Sequence, residues 1–329
     1  MKLSITIATY NVQNFIRESM ESILNQTFQD FEVICIDDGS KDNTVSILKE
    51  FASKDNRIQI VEKEVNEGLA VARNLSLELA KGEYVTFLDG DDFYDLTLFE
   101  KAVSLADKTQ ADLVLWDYVT FYQANQIPKL KAIPSDLLNF DTSNKIALLQ
   151  RPSFTWVKLL RTETAKSLGI HFPNGYTRQD IPVHWHLITK LSKIEVLPER
   201  LAYYRQQNEA TTAKKDKKLF HLAYVMDVVE KYLKEEQLFE TYKEHFYTQQ
   251  LNFFHGMYDN IHHAYKSEAL TIIKERLHEE HLHFLKHSNA VRPQAKFFLL
   301  GLKGDFTSKL KLKFWELMRY IYRLFKRNS

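Results

Sequence analysis

A single cysteine in 329 residues excludes a framework of intrachain disulfides, as expected of a chain that works in a reducing compartment. Cys35 lies inside an apolar run, where a thiol behaves as inert core. Glycine is scarce, at nine residues. Neither a G-x-G-x-x-G fingerprint nor a P-loop is present, which disfavours ordinary dinucleotide and ATP sites. Long hydrophobic runs are missing as well. No stretch approaches the roughly 18 apolar residues that a membrane span requires. The apolar segment entered at Leu3 is interrupted too soon for a signal peptide, so a soluble, cytoplasmic chain is expected. Excess charge of one sign is also absent: 44 Lys and Arg face 43 Asp and Glu, and the whole molecule gives no argument for nucleic-acid binding. The balance conceals an asymmetry. Residues 292–329 carry ten Lys or Arg against Asp305 and Glu316, a net of +8, which leaves about −7 elsewhere.

What is present is a chain long enough for two domains. Apolar runs at residues 3–8, 31–36, 58–61, 84–88 and 113–116 alternate with helical periodicity near 15–24, 43–52 and 69–80. Strands alternating with helices of about a dozen residues predict an α/β, mostly parallel sheet. Residues 123–149 read as a loop with a short helix, and 180–191 as a helix entered from a turn-rich loop. Residues 194–197 and 201–204 read as two short strands. Beyond residue 213 the pattern is helical throughout, so an all-helical domain over 211–329 is expected to follow an α/β domain over 1–210, with the boundary near 209–212.

The run at 84–88 ends in Asp89-Gly90-Asp91-Asp92. Three carboxylates at one strand end repel one another, which a bound cation would relieve. An oxygen-rich site with few protein ligands suits Mg²⁺ or Mn²⁺ shared with a substrate's phosphates. Gly90 would let the backbone approach a ligand closely. The plainer alternative is an acidic turn leading into a helix that Asp95 could begin. Polar clusters follow two other strands, Thr9-Tyr10-Asn11 and Asp37-Asp38, and ligands of parallel sheets bind outside the carboxyl ends of the strands.

Ile7-Ala8-Thr9-Tyr10-Asn11, Gln26-Thr27-Phe28, Asp37-Asp38-Gly39-Ser40, Asn66-Glu67-Gly68-Leu69-Ala70, Ala72-Arg73-Asn74, Gly82-Glu83-Tyr84 and Leu88-Asp89-Gly90-Asp91-Asp92 occur in order. In this the chain strongly resembles family 2 glycosyltransferases of the GT-A fold, densely over residues 1–116. The match is thinner at Lys158-Leu159-Leu160, Gln179-Asp180 and Tyr203-Tyr204-Arg205. The resemblance implies inverting transfer from a UDP-sugar, with galactose or glucose expected by family frequency, to a bacterial surface glycan that is lipid-linked or protein-linked. It implies Mn²⁺ or Mg²⁺ at Asp91 with Asp89, and a nucleotide-sugar site of Thr9, Tyr10, Asp38, Asn66, Arg73, Asp89 and Gly90. Asp180 stands where many members carry a catalytic base after a glutamate, replaced here by Gln179; a helix cap is the alternative role. Two rival readings are a sugar nucleotidyltransferase, which would show a glycine-rich basic loop near residue 9, and a non-catalytic scaffold subunit, whose carboxylates would be free to decay.

His184 could share a helical face with Asp180, although a core histidine is the plainer reading. Trp156, Phe172, Tyr176 and Trp185 could form an acceptor platform, or simply core. In the basic C-terminal segment, Phe297-Phe298-Leu299-Leu300, Phe314-Trp315, Met318, Tyr320-Ile321-Tyr322 and Leu324-Phe325 alternate with Lys and Arg. That pattern fits either a peripheral helix on an anionic membrane or packing against other helices or another subunit.

Overall fold

The strands β1 (Leu3–Thr9), β2 (Phe31–Asp37) and β4 (Tyr84–Asp89) are covered on both faces, which is why they read as unbroken apolar runs. With β3 (Ile58–Glu62) they alternate with α1 (Ile16–Leu24), α2 (Thr44–Ala52) and α3 (Leu69–Leu79). Each of these four strands extends one residue past its apolar run, to Thr9, Asp37, Glu62 and Asp89. The computed structural model describes residues 1–329 apart from 124–125, 132–133, 207–214, 312 and 315–329. The chain divides into two compact units, Met1–Thr212 and Ala213–Ser329; the expected boundary at 209–212 lies outside the described residues.

The first unit continues through β5 (Phe93–Tyr94), α4 (Leu98–Thr109), β6 (Leu113–Phe121), α5 (Ile127–Lys131), α6 (Lys145–Leu149), β7 (Lys158–Arg161), α7 (Thr162–Ser167), α8 (Asp180–Lys190) and β8 (Ile194–Arg205). One eight-stranded sheet has the order β3-β2-β1-β4-β7-β6-β8-β5. It is parallel from β3 to β4. Beyond β4 it is mixed, because β7 runs antiparallel to both of its neighbours. The two short strands expected at 194–204 are one strand, irregular where β6 shifts register around Asp117. Asp95 does not begin the helix after the acidic turn. Its Oδ1 accepts from Thr97 N at 3.1 Å and Thr97 Oγ1 at 2.7 Å, and α4 starts at Leu98.

Leu3, Ile5, Ile7, Val33, Cys35, Leu48, Phe99 and Trp116 belong to one core cluster. Burying an aliphatic or aromatic side chain of this size contributes about 1.5–3 kcal/mol. Burial pushes the Cys35 thiol up to about 12, so it is inert as expected. The second unit is helical: α9 (His221–Glu235), α10 (Phe239–Asn260), α11 (Lys266–Arg276), α12 (Glu279–His287) and α13 (Pro293–Leu302). α10 packs on the other four. Among the described residues no helix is long and apolar enough to cross a membrane. Of the C-terminal apolar stripe, Trp315 through Phe325 lies outside the described residues.

Candidate active site

The carboxyl ends of β1, β2 and β4 lie side by side, with Thr9 opposite Asp37 and Ala8 opposite Asp89. Each polar cluster found in the sequence therefore reaches the same edge of the sheet. Thr9 ties the tips together. Its Oγ1 donates to Asp37 Oδ1 at 3.0 Å, and its carbonyl accepts from Asp38 N at 2.9 Å. Asp37, which is not among the expected site residues, also accepts from Ser40 N and Ser40 Oγ. Tyr10 stands 47% exposed beyond the strand, at the mouth of the edge.

Asp38 is buried, with a full set of donors. Lys63 Nζ at 2.8 Å and Glu67 N at 3.0 Å reach Oδ1, and Gly68 N at 2.7 Å reaches Oδ2. The carboxylate thus orders the Asn66-Glu67-Gly68 turn that leads into α3. Gly68 takes a φ of +97°, which a side chain would strain. Asn66 lies exposed on this turn. Lys63, which no sequence motif singled out, is a member of the site.

Arg73 is not on a solvated helix face. It is buried in α3 and donates through Nη2 to Asp89 Oδ1 at 2.7 Å. Its guanidinium carbon lies 5.6 Å from the centre of the Phe172 ring. Its neighbour Asn74 binds the Phe172 backbone in both directions, at 2.9 Å and 2.8 Å, so α3 carries the loop that leads toward Asp180. A Cβ at Gly90 would lie 3.1 Å from Thr9 Cγ2 and 3.3 Å from Ile16 Cδ1, so any larger residue would have to push these side chains aside.

Asp91 and Asp92 follow. Burial and the Asp89 charge push Asp91 up to about 6. Burial, then the charges of Asp91 and Asp89, push Asp92 well above the carboxylate range. Arg205, at the end of β8, closes this turn. Its N–H donates to Asp92 Oδ1 at 2.8 Å and its Nε to the Asp91 carbonyl at 3.1 Å. Its guanidinium pairs with Glu18 among the rings of Phe15, Phe93 and Phe121. Asp92 Oδ2 is buried without a hydrogen-bond partner. Among the described residues no three His, Cys, Asp or Glu converge as a metal cage. One or two carboxylates beside a substrate diphosphate are nevertheless a fitting donor set for Mg²⁺ or Mn²⁺, and the repulsion that raises Asp91 is what such an ion would relieve.

Asp180 is the first residue of α8. The cap position is Gln179, which makes no side-chain cap bond, and Asp180 is the acidic residue of the first turn. Ser153 Oγ donates to Asp180 Oδ2 at 3.4 Å. Behind Ser153, Phe154 stacks on Trp156 at 4.9 Å, and Tyr118 and Tyr204 pack against the pair. Tyr204 adjoins Arg205, which links the surroundings of Asp180 to the acidic turn. Of the candidate residues for an acceptor platform, Phe172 and Trp185 are fully buried, Trp156 nearly so, and Tyr176 half-buried. His184 is core too, with Nε2 3.1 Å from the Leu148 carbonyl.

The glycosyl transferase family 2 model matches residues 4–167. The chain is 27% identical over 243 residues to glycosyltransferase GlyG of Streptococcus pneumoniae serotype 4, across 70% of this chain and 78% of that protein. It is 31% identical to the putative teichuronic acid biosynthesis glycosyltransferase TuaG of Bacillus subtilis, across 65% of this chain and 82% of TuaG. Among solved structures, S. aureus TarS 1-349 in complex with UDP-GlcNAc superposes with a TM-score of 0.73 at 20% identity, covering 92% of this chain and 87% of that one. The nucleotidyltransferase and scaffold readings give way to these relationships, and the chain belongs to glycosyltransferase family 2.

Proposed function

We propose that the protein transfers a hexose from a UDP-sugar to a hydroxyl of a bacterial surface glycan, with inversion at the anomeric carbon. The observation that carries this reading is the convergence of Asp38, Arg73, Asp89 and Asp91 at one edge of the sheet, beside a loop that carries a second carboxylate environment at Asp180. Thr9, Tyr10, Asp38, Asn66 and Arg73 would receive the uridine and diphosphate. Asp91 and Asp89 would hold Mn²⁺ or Mg²⁺, which when bound supplies neutralising charge for the departing diphosphate. Arg73 orients Asp89 beside that position. Asp180 takes the proton of the acceptor hydroxyl as its oxygen bonds to the anomeric carbon. The bond from that carbon to the β-phosphate oxygen breaks, and UDP leaves with the electron pair.

The donor sugar follows family frequency toward glucose or galactose. TarS, solved with UDP-GlcNAc, adds an N-acetylhexosamine to the set worth testing. Incubation with UDP-glucose, UDP-galactose and UDP-GlcNAc plus Mn²⁺, with and without cell-wall glycan acceptors, is the direct assay. UDP release from at least one donor is expected. Release from none of them, by a folded protein, overturns the reading.

The C-terminal segment supports a membrane-side location for the acceptor. Phe306, Leu310 and Phe314 recur every four residues and are 70%, 52% and 62% exposed, with exposed Lys309, Lys311 and Lys313 beside them. An apolar stripe rimmed by lysines suits an anionic leaflet, so we place the protein at the inner face of the membrane, where lipid-linked acceptors lie.

A further inference from the structure

Lys158 opens β7 opposite Leu115 of β6, and its side chain is buried at 1% exposure. A buried ammonium is costly unless a carboxylate or metal chemistry compensates it. Among the described residues Lys158 forms no ion pair. Its Nζ donates instead to two backbone carbonyls, Ser153 O at 2.9 Å and Phe154 O. The same two residues carry the Ser153 hydroxyl that reaches Asp180 and the ring stacked on Trp156. A leucine or methionine would fill this space at less cost to stability. A lysine retained here with only backbone carbonyls as hydrogen-bond partners is therefore a functional signal.

We propose that Lys158 is a positioning residue for the transfer reaction: by holding the Ser153 and Phe154 carbonyls it keeps the Ser153 hydroxyl on Asp180 Oδ2 and leaves Oδ1 to receive the acceptor's proton. The inference rests on the reading of Asp180 as the base. The charged groups that act on Lys158 are Asp180 of α8, which favours its protonated form, and Arg73 of α3, which opposes it. Burial exceeds both and brings Lys158 down to about 7. Lys158 thus lies electrostatically between the base and the arginine that holds Asp89. Protonated, it makes charge-assisted bonds to both carbonyls; neutral, it grips them more weakly.

The test compares wild type, Lys158→Met, Lys158→Arg, Ser153→Ala and Asp180→Asn in UDP release from the UDP-sugars, with water as the acceptor, alongside UDP affinity by calorimetry with Mn²⁺. Lys158→Met is expected to lower turnover about 10- to 100-fold with UDP affinity within twofold of wild type, and Ser153→Ala to lower it several-fold. Wild-type turnover should fall as pH rises through about 7, and Lys158→Arg, charged throughout, should lack that fall. This profile keeps the test valid if Lys158→Met fails to fold, as checked by circular dichroism. If Asp180→Asn loses turnover while Lys158→Met keeps it, or if Lys158→Arg retains the alkaline fall, the role of Lys158 is overturned. If Asp180→Asn itself keeps wild-type turnover, the base reading fails first and this inference falls with it.

Discussion

Arg73 and Asp89 meet through a single 2.7 Å charge-assisted hydrogen bond, the arginine side chain 5% exposed and the aspartate 27%. The pair fastens α3 to the tip of β4, so one contact joins the element that carries the 171–174 loop to the acidic turn. Replacing Arg73 by Met leaves a half-buried carboxylate without its cation. A loss of roughly 2–3 kcal/mol is expected, since the exposure of Asp89 limits the cost. Thermal unfolding measures it, and an unchanged melting temperature would show that solvent compensates Asp89 fully.

Asp91→Asn should abolish the gain in UDP affinity that Mn²⁺ confers while leaving the fold intact. Removal of one charge also lessens the repulsion within the turn, so the variant should melt no lower than wild type. Titration calorimetry with and without Mn²⁺ decides the matter: equal metal-dependent gains in the two proteins would place the ion elsewhere.

Asp180→Asn preserves size and removes the basic oxygen. Turnover should fall by roughly 10² to 10⁴, the usual contribution of a positioned base, with UDP binding unchanged. Steady-state rates at saturating donor, set against calorimetric affinities, separate the two effects. Near-normal turnover would transfer the role to another carboxylate.

The second unit has its own pH dependence. His281 of α12 is buried. Its Nδ1 accepts from His278 N at 3.1 Å, and its Nε2 lies 3.0 Å from Gln250 Oε1 on α10, an arrangement that requires the neutral ring. Burial, then the charge of His278, bring it down from 6.5 to about 4. As pH falls below 6.5 the unfolded chain takes up this proton first. The contribution is present above 6.5 and is lost progressively toward 4. At 1.36 kcal/mol per pKa unit it amounts to about 3 kcal/mol. Urea titrations at pH 7 and pH 4.5 should show the loss, and His281→Asn should flatten it.

Membrane contact through residues 306–314 predicts flotation with phosphatidylglycerol vesicles at low salt. Each lysine near an anionic surface contributes about 1 kcal/mol. Changing Lys309, Lys311 and Lys313 to Glu should therefore abolish binding without altering UDP release. If the stripe instead joins two copies of the chain, sedimentation will show a dimer and vesicles will not float the protein.

Much of this site was legible because its parts lie at strand ends, where an apolar run breaks into carboxylates within two residues. Asp38, Asp89 and Asp91 could be found that way; Asp180, at the start of α8, was found through the resemblance. The supports were less legible. Lys63 lies 25 positions from its partner Asp38, and nothing local distinguishes it from a solvated lysine. Lys158 and Arg205 fall in the thinner matches, but their bonds to the Ser153 and Asp91 carbonyls were not legible. The packing around Gly90 was not legible, because the side chains of Thr9 and Ile16 that crowd it come from other elements. β8 was misread as two strands since its middle, Pro198-Glu199-Arg200, is polar; the irregular register opposite Asp117 accommodates it. The hexose and acceptor have no such signal, because no charged or special-backbone residue has to report them.

The bond from Arg205 to Asp92 spans 113 positions and has a consequence for biosynthesis. A ribosome adding 5–20 residues per second takes roughly 6–20 s to supply that span. During this interval β1 to β4 can already be paired, because their contacts are nearer in sequence. The acidic turn, however, exists as an unclosed cluster of like charges until β8 arrives. The nucleotide edge of a nascent chain is therefore assembled from its first hundred residues, while the turn that would hold the metal is completed last. Premature termination before residue 205 should yield a product that folds in part and transfers nothing.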